Sequence, residues 1–280
     1  MNVSVLVAIF LGIVQGLTEF LPVSSSGHLS IFQSIFGLDF NSEEHLLFDV
    51  LLHLATLVSI YLVYKVELKT MVKDTFEFLS GRSSNSEREG RLKPSVRMTL
   101  LILVATLPLI IVLPFRSQIE RLYSSLGFIA FALIMTGAIL LISTVFFDGR
   151  KSEKTATLGD AFIVGLAQAI ATFPGISRSG TTITVGLSRG FKRKFAIKFS
   201  FLMSIPAVLG STLVTLISAL KAGIQWSSVP AYLLGMAAAG VVGYLALSFM
   251  KRIMVKKPFT YFAFYCFGAG VITVIIAIIK

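Results

Sequence analysis

Long apolar stretches, each close to the ~20 residues that cross ~30 Å of bilayer hydrocarbon, dominate the pattern of this chain. They run over 46–64, 98–115, 124–147, 195–219, 229–250 and 258–279. Six membrane-spanning helices are expected there. Two further apolar stretches break before they can span. Residues 159–173 would make only ~22 Å of helix, and they run into Phe173-Pro174-Gly175-Ile-Ser-Arg178-Ser-Gly-Thr181. Proline and two glycines stop a helix there. It can restart only from Thr182 to Ser188, ahead of the basic Arg189-Gly-Phe-Lys-Arg-Lys194. Residues 159–188 therefore read as a re-entrant hairpin. Residues 3–37 read the same way: an apolar helix to Leu21-Pro22, the polar Ser24-Ser-Ser-Gly-His28, then a short apolar piece to Gly37. Irregular backbone at membrane depth survives only inside protein or beside a water-filled cavity, so each break marks a candidate site.

The two broken segments are copies. A shift of 153 places Gly12, Gln15, Phe20, Ser24, Ser26 and Gly27 on Gly165, Gln168, Phe173, Ser177, Ser179 and Gly180. Polar identities such as Gln and Ser are harder to obtain by chance than apolar ones. The expected organisation is one integral membrane domain over 1–280, with repeat one at 1–147 and repeat two at 154–280. Each repeat holds one hairpin and three spans. Three is odd, so the second copy is inverted, and the two hairpin tips should meet near the midplane. The fold class is thus an all-α polytopic membrane protein built on an inverted-topology repeat.

Composition agrees. Of 280 residues, 14% are charged and 55% hydrophobic, and mean hydropathy is +0.86; a soluble domain averages about 25% charged. A soluble enzyme or disordered chain is excluded on that ground. The single Cys266 rules out an intramolecular disulfide. Net charge is +11, but residues 1–64 hold no Lys or Arg. Twenty basic residues fall in 65–97, 150–154, 189–198 and 251–257. The opposite links carry Arg116, Arg121, Lys221 and Lys280, with the acidic stretch Asp39 to His45. By the positive-inside rule the basic loops are cytoplasmic and both termini lie outside. This asymmetry explains the basic balance without nucleic acid as a partner. The first apolar stretch lacks a positive leader, so it is not read as a cleaved signal peptide.

Where the copies differ, the tips carry complementary chemistry. Glu19 falls on Thr172, Ser25 on Arg178 and His28 on Thr181. An unpaired charge inside a membrane costs ~3 kcal/mol or more, so Glu19 and Arg178 are expected to be partners, directly or through a ligand. Restarted half-helices aim free N–H groups at the meeting point. Ser24, Ser25, Ser26, Ser177, Ser179, Thr181 and Thr182 add hydroxyls, and Arg178 a planar fork suited to phosphate. The sum is an anion site that phosphate or diphosphate fits best. His28 can serve as general acid or base, and Glu19 can hold a divalent ion or activate a nucleophile. Gln15 shares the face of Glu19.

Other polar residues read as structural. Asp49 and His53 share a helix face beside the acidic link, which suggests an interfacial position. His45 reads as solvated. Ser200 and Ser204 are expected to bond their own helix, and 80–96 to be a polar loop without chemistry.

Gln15-Gly-Leu-Thr-Glu19-Phe-Leu-Pro-Val-Ser-Ser-Ser-Gly-His28 and Pro174-Gly-Ile-Ser-Arg178-Ser-Gly-Thr-Thr182 resemble the two signature motifs of the undecaprenyl-diphosphate phosphatase, or bacitracin-resistance, family. The resemblance implies hydrolysis of undecaprenyl diphosphate to the monophosphate and phosphate. It implies a bacterial plasma-membrane enzyme of lipid-carrier recycling, with an outward-opening site, a need for Mg²⁺ or Ca²⁺, and a link to bacitracin resistance. It assigns catalysis to Glu19, Ser25, His28 and Arg178, and phosphate binding to Ser24, Ser177 and Thr182. Gln15 departs from the glutamate of some members; it can orient a phosphate but cannot act as a base. The nucleophile stays open between Ser25, His28 and a water activated by His28. A lipid-phosphate or anion carrier stays open as the rival function, because topology alone does not separate the two. The bilayer and the lipid diphosphate are the expected partners; a homodimer is compatible with the sequence but not specified by it.

Overall fold

A computed structural model describes residues 4–38, 43–82, 92–146, 149–222, 226–253 and 259–279. Among these residues the regular secondary structure is helical, with one isolated bridge between Lys151 and Phe191. The first hairpin pairs α1 (Val5–Phe20) with α2 (Ser25–Ile35). After it come α3 (Glu43–Val63), α4 (Lys65–Leu79), α5 (Pro94–Thr106) and α6 (Leu126–Ile142). The second hairpin pairs α7 (Leu158–Ile170) with α8 (Arg178–Ser188). The chain ends in α9 (Arg193–Ala222), α10 (Val229–Ile253) and α11 (Thr260–Ile279). Five helices are long and apolar enough to cross a membrane, or six if α3 and the bent α4 count as one. The protein is a polytopic helical membrane protein.

The element bounds follow local chemistry. Ser4, Ser24, Ser125, Thr157 and Ser177 each cap a helix with a side-chain oxygen. The expected span 98–115 is less regular than its hydropathy suggests. Pro108 has no N–H, so α5 ends in tighter turns, with Leu107 N–H donating to Val104 O at 3.3 Å. Short helical pieces then carry the chain on to Ser124. The basic link after α3 also differs from expectation. Its first part is α4, turned 83° from α3, with Val66, Val72 and Phe76 exposed. An amphipathic helix of this kind suits a membrane interface. Residues 83–91 of the expected polar loop lie outside the described residues, as do 39–42 of the acidic link.

Packing exchanges partners between the two halves. Hairpin helix α1 lies on α10 of the second half, and α7 lies on α5 of the first. Equivalent glycines make both approaches possible. A Cβ on Gly12 would stand 2.2 Å from Gly235 O, and one on Gly165 would stand 2.3 Å from Ala105 O. Helices α3 and α9 pair across the molecule, as do α6 and α11.

The base of the second hairpin is stitched shut. Lys151 N–H donates to Gly190 O at 2.9 Å, and Lys192 N–H to Lys151 O at 2.8 Å. Beside this bridge, the buried Asp160 takes Lys151 Nζ at 2.7 Å and Arg189 Nε at 3.0 Å, and completes a capping box with Thr157. Burial alone would raise its carboxyl; Lys151, the Thr157 N–H and Arg189 outweigh that and hold it at about 2. A depressed carboxylate stabilises the fold above the ordinary aspartate range, and that contribution is lost as pH falls toward about 2. Asp160→Asn should therefore cost about 2 kcal/mol at neutral pH. Thermal unfolding in detergent checks this, and the two proteins should converge as the medium is acidified.

Candidate active site

The last two turns of α1 carry Gln15 and Glu19 on one face, and Phe20 anchors that end by meeting Phe201 edge-on at 5.8 Å. Leu21-Pro22 then ends the helix, and Ser24 turns the chain with φ +71°, the only non-glycine in the left-handed region among the described residues. Such a conformation is costly outside glycine and clusters at functional sites. Ser24 Oγ caps α2 by accepting from Gly27 N–H at 3.2 Å. Ser177 Oγ caps α8 identically, from Gly180 N–H at 3.1 Å. The first residue of α2 is Ser25 and the first of α8 is Arg178, so the two halves present different side chains from the same structural position.

Both reach one carboxylate. Ser25 Oγ donates to Glu19 Oε2 at 2.6 Å, and Arg178 Nη2 contacts Glu19 Oε1 directly. Gln15 Nε2 donates to Glu19 Oε2 at 3.0 Å. The Glu19 side chain is 4% exposed and that of Arg178 is 23% exposed, so the cluster is closed on the acid's side and open on the guanidinium's.

The tips interlock through the remaining serines. Ser26 Oγ accepts from Gly175 N–H at 3.3 Å, and its repeat counterpart Ser179 donates to Leu21 O at 3.3 Å. Thr136 of α6 braces the second tip, accepting from Ser177 N–H and donating to Gly175 O, both at 3.0 Å. Thr182 bonds Arg178 O at 2.8 Å and meets Ser200 Oγ at 2.6 Å. Ser200 thus supports the second tip instead of bonding its own helix, while Ser204 does bond its own, at Phe201 O. Thr181 Oγ1 is buried with no partner, as is Gln15 Oε1.

Two histidines depart from the sequence reading. His28 is buried, with Nδ1 2.7 Å from Ser24 O and Nε2 2.8 Å from the Tyr265 hydroxyl; none of its recorded contacts is with Glu19. His53, expected to be structural, stands with Nε2 3.6 Å from Glu19 Oε2. Its Nδ1 lies 2.8 Å from Asp49 O, which orients the ring, while the Asp49 side chain accepts from Gln33 at 2.6 Å. The spacing of Asp49 and His53 on one face was the available signal; the rotation of α3 toward α1 was not.

The family model of the bacitracin resistance protein BacA matches residues 8–272. This chain belongs to that family. The undecaprenyl-diphosphatase of Carboxydothermus hydrogenoformans is 40% identical over 267 residues, covering 94% of each chain. That of Methanobrevibacter smithii is 38% identical over 268 residues, covering 95% of each. That of Bacteroides fragilis is 37% identical over 274 residues, covering 96% of this chain and 97% of its own.

Among the described residues no group of three or more His, Cys, Asp or Glu could hold a metal. Glu19, the expected ligand, already has both oxygens engaged by Arg178, Ser25 and Gln15. These residues do not fit a cation held by protein alone.

Proposed function

We propose that this family member removes the terminal phosphate of undecaprenyl diphosphate and so returns the lipid carrier of cell-wall synthesis. The observation that carries the reading is the junction of Ser25, Glu19 and Arg178, in which a hydroxyl and a guanidinium from separate half-helices share one buried carboxylate. An incoming diphosphate offers Arg178 oxygens with the same bidentate geometry as a carboxylate. Once Arg178 turns to phosphate, Glu19 is left with the Ser25 hydroxyl as its closest partner and can take its proton. Ser25 Oγ then attacks the terminal phosphorus, and the bond to the bridging oxygen breaks. Undecaprenyl phosphate leaves with the electron pair. Water attacks the phosphoserine, the bond from phosphorus to Ser25 Oγ breaks, both water protons stay on the departing phosphate, and Ser25 recovers its own from Glu19. Charge stabilisation by Arg178 and the half-helix N-termini carries most of the acceleration, as in other phosphoryl transfers.

The contacts of His28 with Ser24 and Tyr265 support Ser25 over a His28-activated water. No step is assigned to a cation; phosphate release with and without a chelator tests the expected Mg²⁺ or Ca²⁺ requirement. A carrier would need the donors and Arg178 but no acid beside the serine, and the named relatives lend it no support. The partner exchange between hairpins supports the internal inverted repeat. The charge asymmetry of the loops supports outside termini and an outward-opening site.

The test is direct. Protein purified in detergent should release phosphate from a prenyl diphosphate, and none should appear with inactive protein. His53 is the positioning group for Glu19. His53→Ala should lower kcat about tenfold at unchanged KM, and His53→Gln, which keeps a polar side chain beside Glu19, should restore most of it. Equal losses in both variants would remove His53 from this role.

A further inference from the structure

Helix α4 sorts its charges between two edges. Its acids face the protein: Asp74 and Glu77 take Lys93 Nζ at 3.2 Å and 3.1 Å, and Ser95 also donates to Asp74. Leu68 and Met71 pack on the core, and Thr75 donates to Thr99 of α5 at 3.1 Å. Its lysines face away. At about 100° per residue, Lys65, Lys69 and Lys73 run down one edge, with Leu79, Val72 and Phe76 beside and between them. Lys65 and Lys69 are exposed. Among the described residues Lys73 alone of the three forms an ion pair, with Glu77 of its own helix at 3.9 Å. Lys251, at the end of α10, adds a fourth cation. Its Nζ stands 4.4 Å from the ring centre of Tyr64, the residue at which α3 turns by 83° into α4.

We propose that this corner, α4 with the end of α10, selects anionic glycerophospholipid from the leaflet that borders the basic loops. The turn lays α4 across the spanning direction of α3. Val72 and Phe76, 71% and 66% exposed, then rest on acyl chains, while the lysine stems lie along the same surface and carry their charges to headgroup height. A headgroup of net negative charge is neutralised there; a choline headgroup brings its own cation and gains little. Basic clusters on an amphipathic helix and at the ends of membrane spans recognise lipid in this way. An acidic protein would also meet the lysines, but the large apolar side chains set among them suit a lipid surface. The corner is separate from the reaction centre: Tyr64 follows His53 by eleven residues, ~16 Å of helix. The inference therefore does not rest on the phosphatase reading.

The experiment uses the full chain in nanodiscs of phosphatidylcholine with a minor share of phosphatidylglycerol. Trp226, the single tryptophan, is replaced by phenylalanine, and Phe76→Trp reports on the lipid beside α4. One lipid at a time carries bromine, at equal mole fraction of the brominated species. Quenching by phosphatidylglycerol should exceed quenching by phosphatidylcholine at least twofold, and high salt should shrink that preference. Lys65→Gln, Lys69→Gln and Lys73→Gln together should abolish it, with thermal unfolding at the parental value. Equal quenching by the two lipids overturns the proposal, as does a preference that survives the triple variant. Quenching by neither lipid means that α4 is off the bilayer, which leaves an acidic protein as the partner and overturns it as well. A second measurement leaves Phe76 and Trp226 in place. In native mass spectrometry from mixed micelles the parent should retain phosphatidylglycerol over phosphatidylcholine, and Lys251→Gln should lower that retention at least twofold. Equal retention of both lipids by the parent, or unchanged retention in Lys251→Gln, overturns the proposal.

Discussion

Arg178→Ala is expected to lower kcat/KM for a prenyl diphosphate by about a thousandfold or more, the scale of a lost arginine in phosphoryl transfer. Among the described residues the guanidinium is the only Lys or Arg group recorded on the Glu19 carboxylate, so no neighbouring Lys or Arg can assume its charge. Arg178→Lys should recover a small part, because an ammonium keeps the charge but not the planar fork. Loss of the pair leaves Glu19 buried without its cation, which costs stability as well. Each variant is therefore compared with the parent by thermal unfolding and by single-turnover phosphate release. A folded Arg178→Ala protein retaining a tenth of parental turnover would take Arg178 out of the mechanism.

Glu19→Gln should reduce kcat by roughly 10²–10⁴, the usual worth of a general base. The amide keeps the shape and can still accept from Ser25, so the loss reports proton transfer and not collapse. Ser25→Ala should fall to a similar residual rate. Because hydroxyl and carboxylate act as a unit, the double variant should be no slower than the slower single one. Independent, multiplying losses would mean that Glu19 serves some step other than activating Ser25. Trapping of phosphate on the protein, absent from Ser25→Ala, separates a serine nucleophile from a directly attacking water.

The local breaks were legible because their causes are local. Pro22 and Pro174 stand beside polar turn residues where a helix is hard to continue, and Ser24 and Ser177 cap the next ones. Glu19 and Arg178 could be paired from the sequence because each is a lone charge in an apolar setting, and membrane interiors do not leave such charges unmatched. Residues placed by helix rotation were harder. His53 meets Glu19 because α3 and α1 both pack against α10, with Gly12 letting α1 close on Gly235; no spacing within α3 encodes that. Tyr265 sits in an uninterrupted apolar run and has significance only through His28, 237 positions away. Ser200 has the spacing of a self-bonding serine, and only the approach of α8 gives it Thr182 instead.

The reciprocal serine bonds between the tips, Ser26 to Gly175 and Ser179 to Leu21, mean that neither half of the chain owns a competent centre. Expressed as two polypeptides divided between Phe146 and Gly149, each fragment would be silent, and turnover would return only on their reunion. The molecule behaves as a coincidence gate, in which chemistry reports that both halves have found each other.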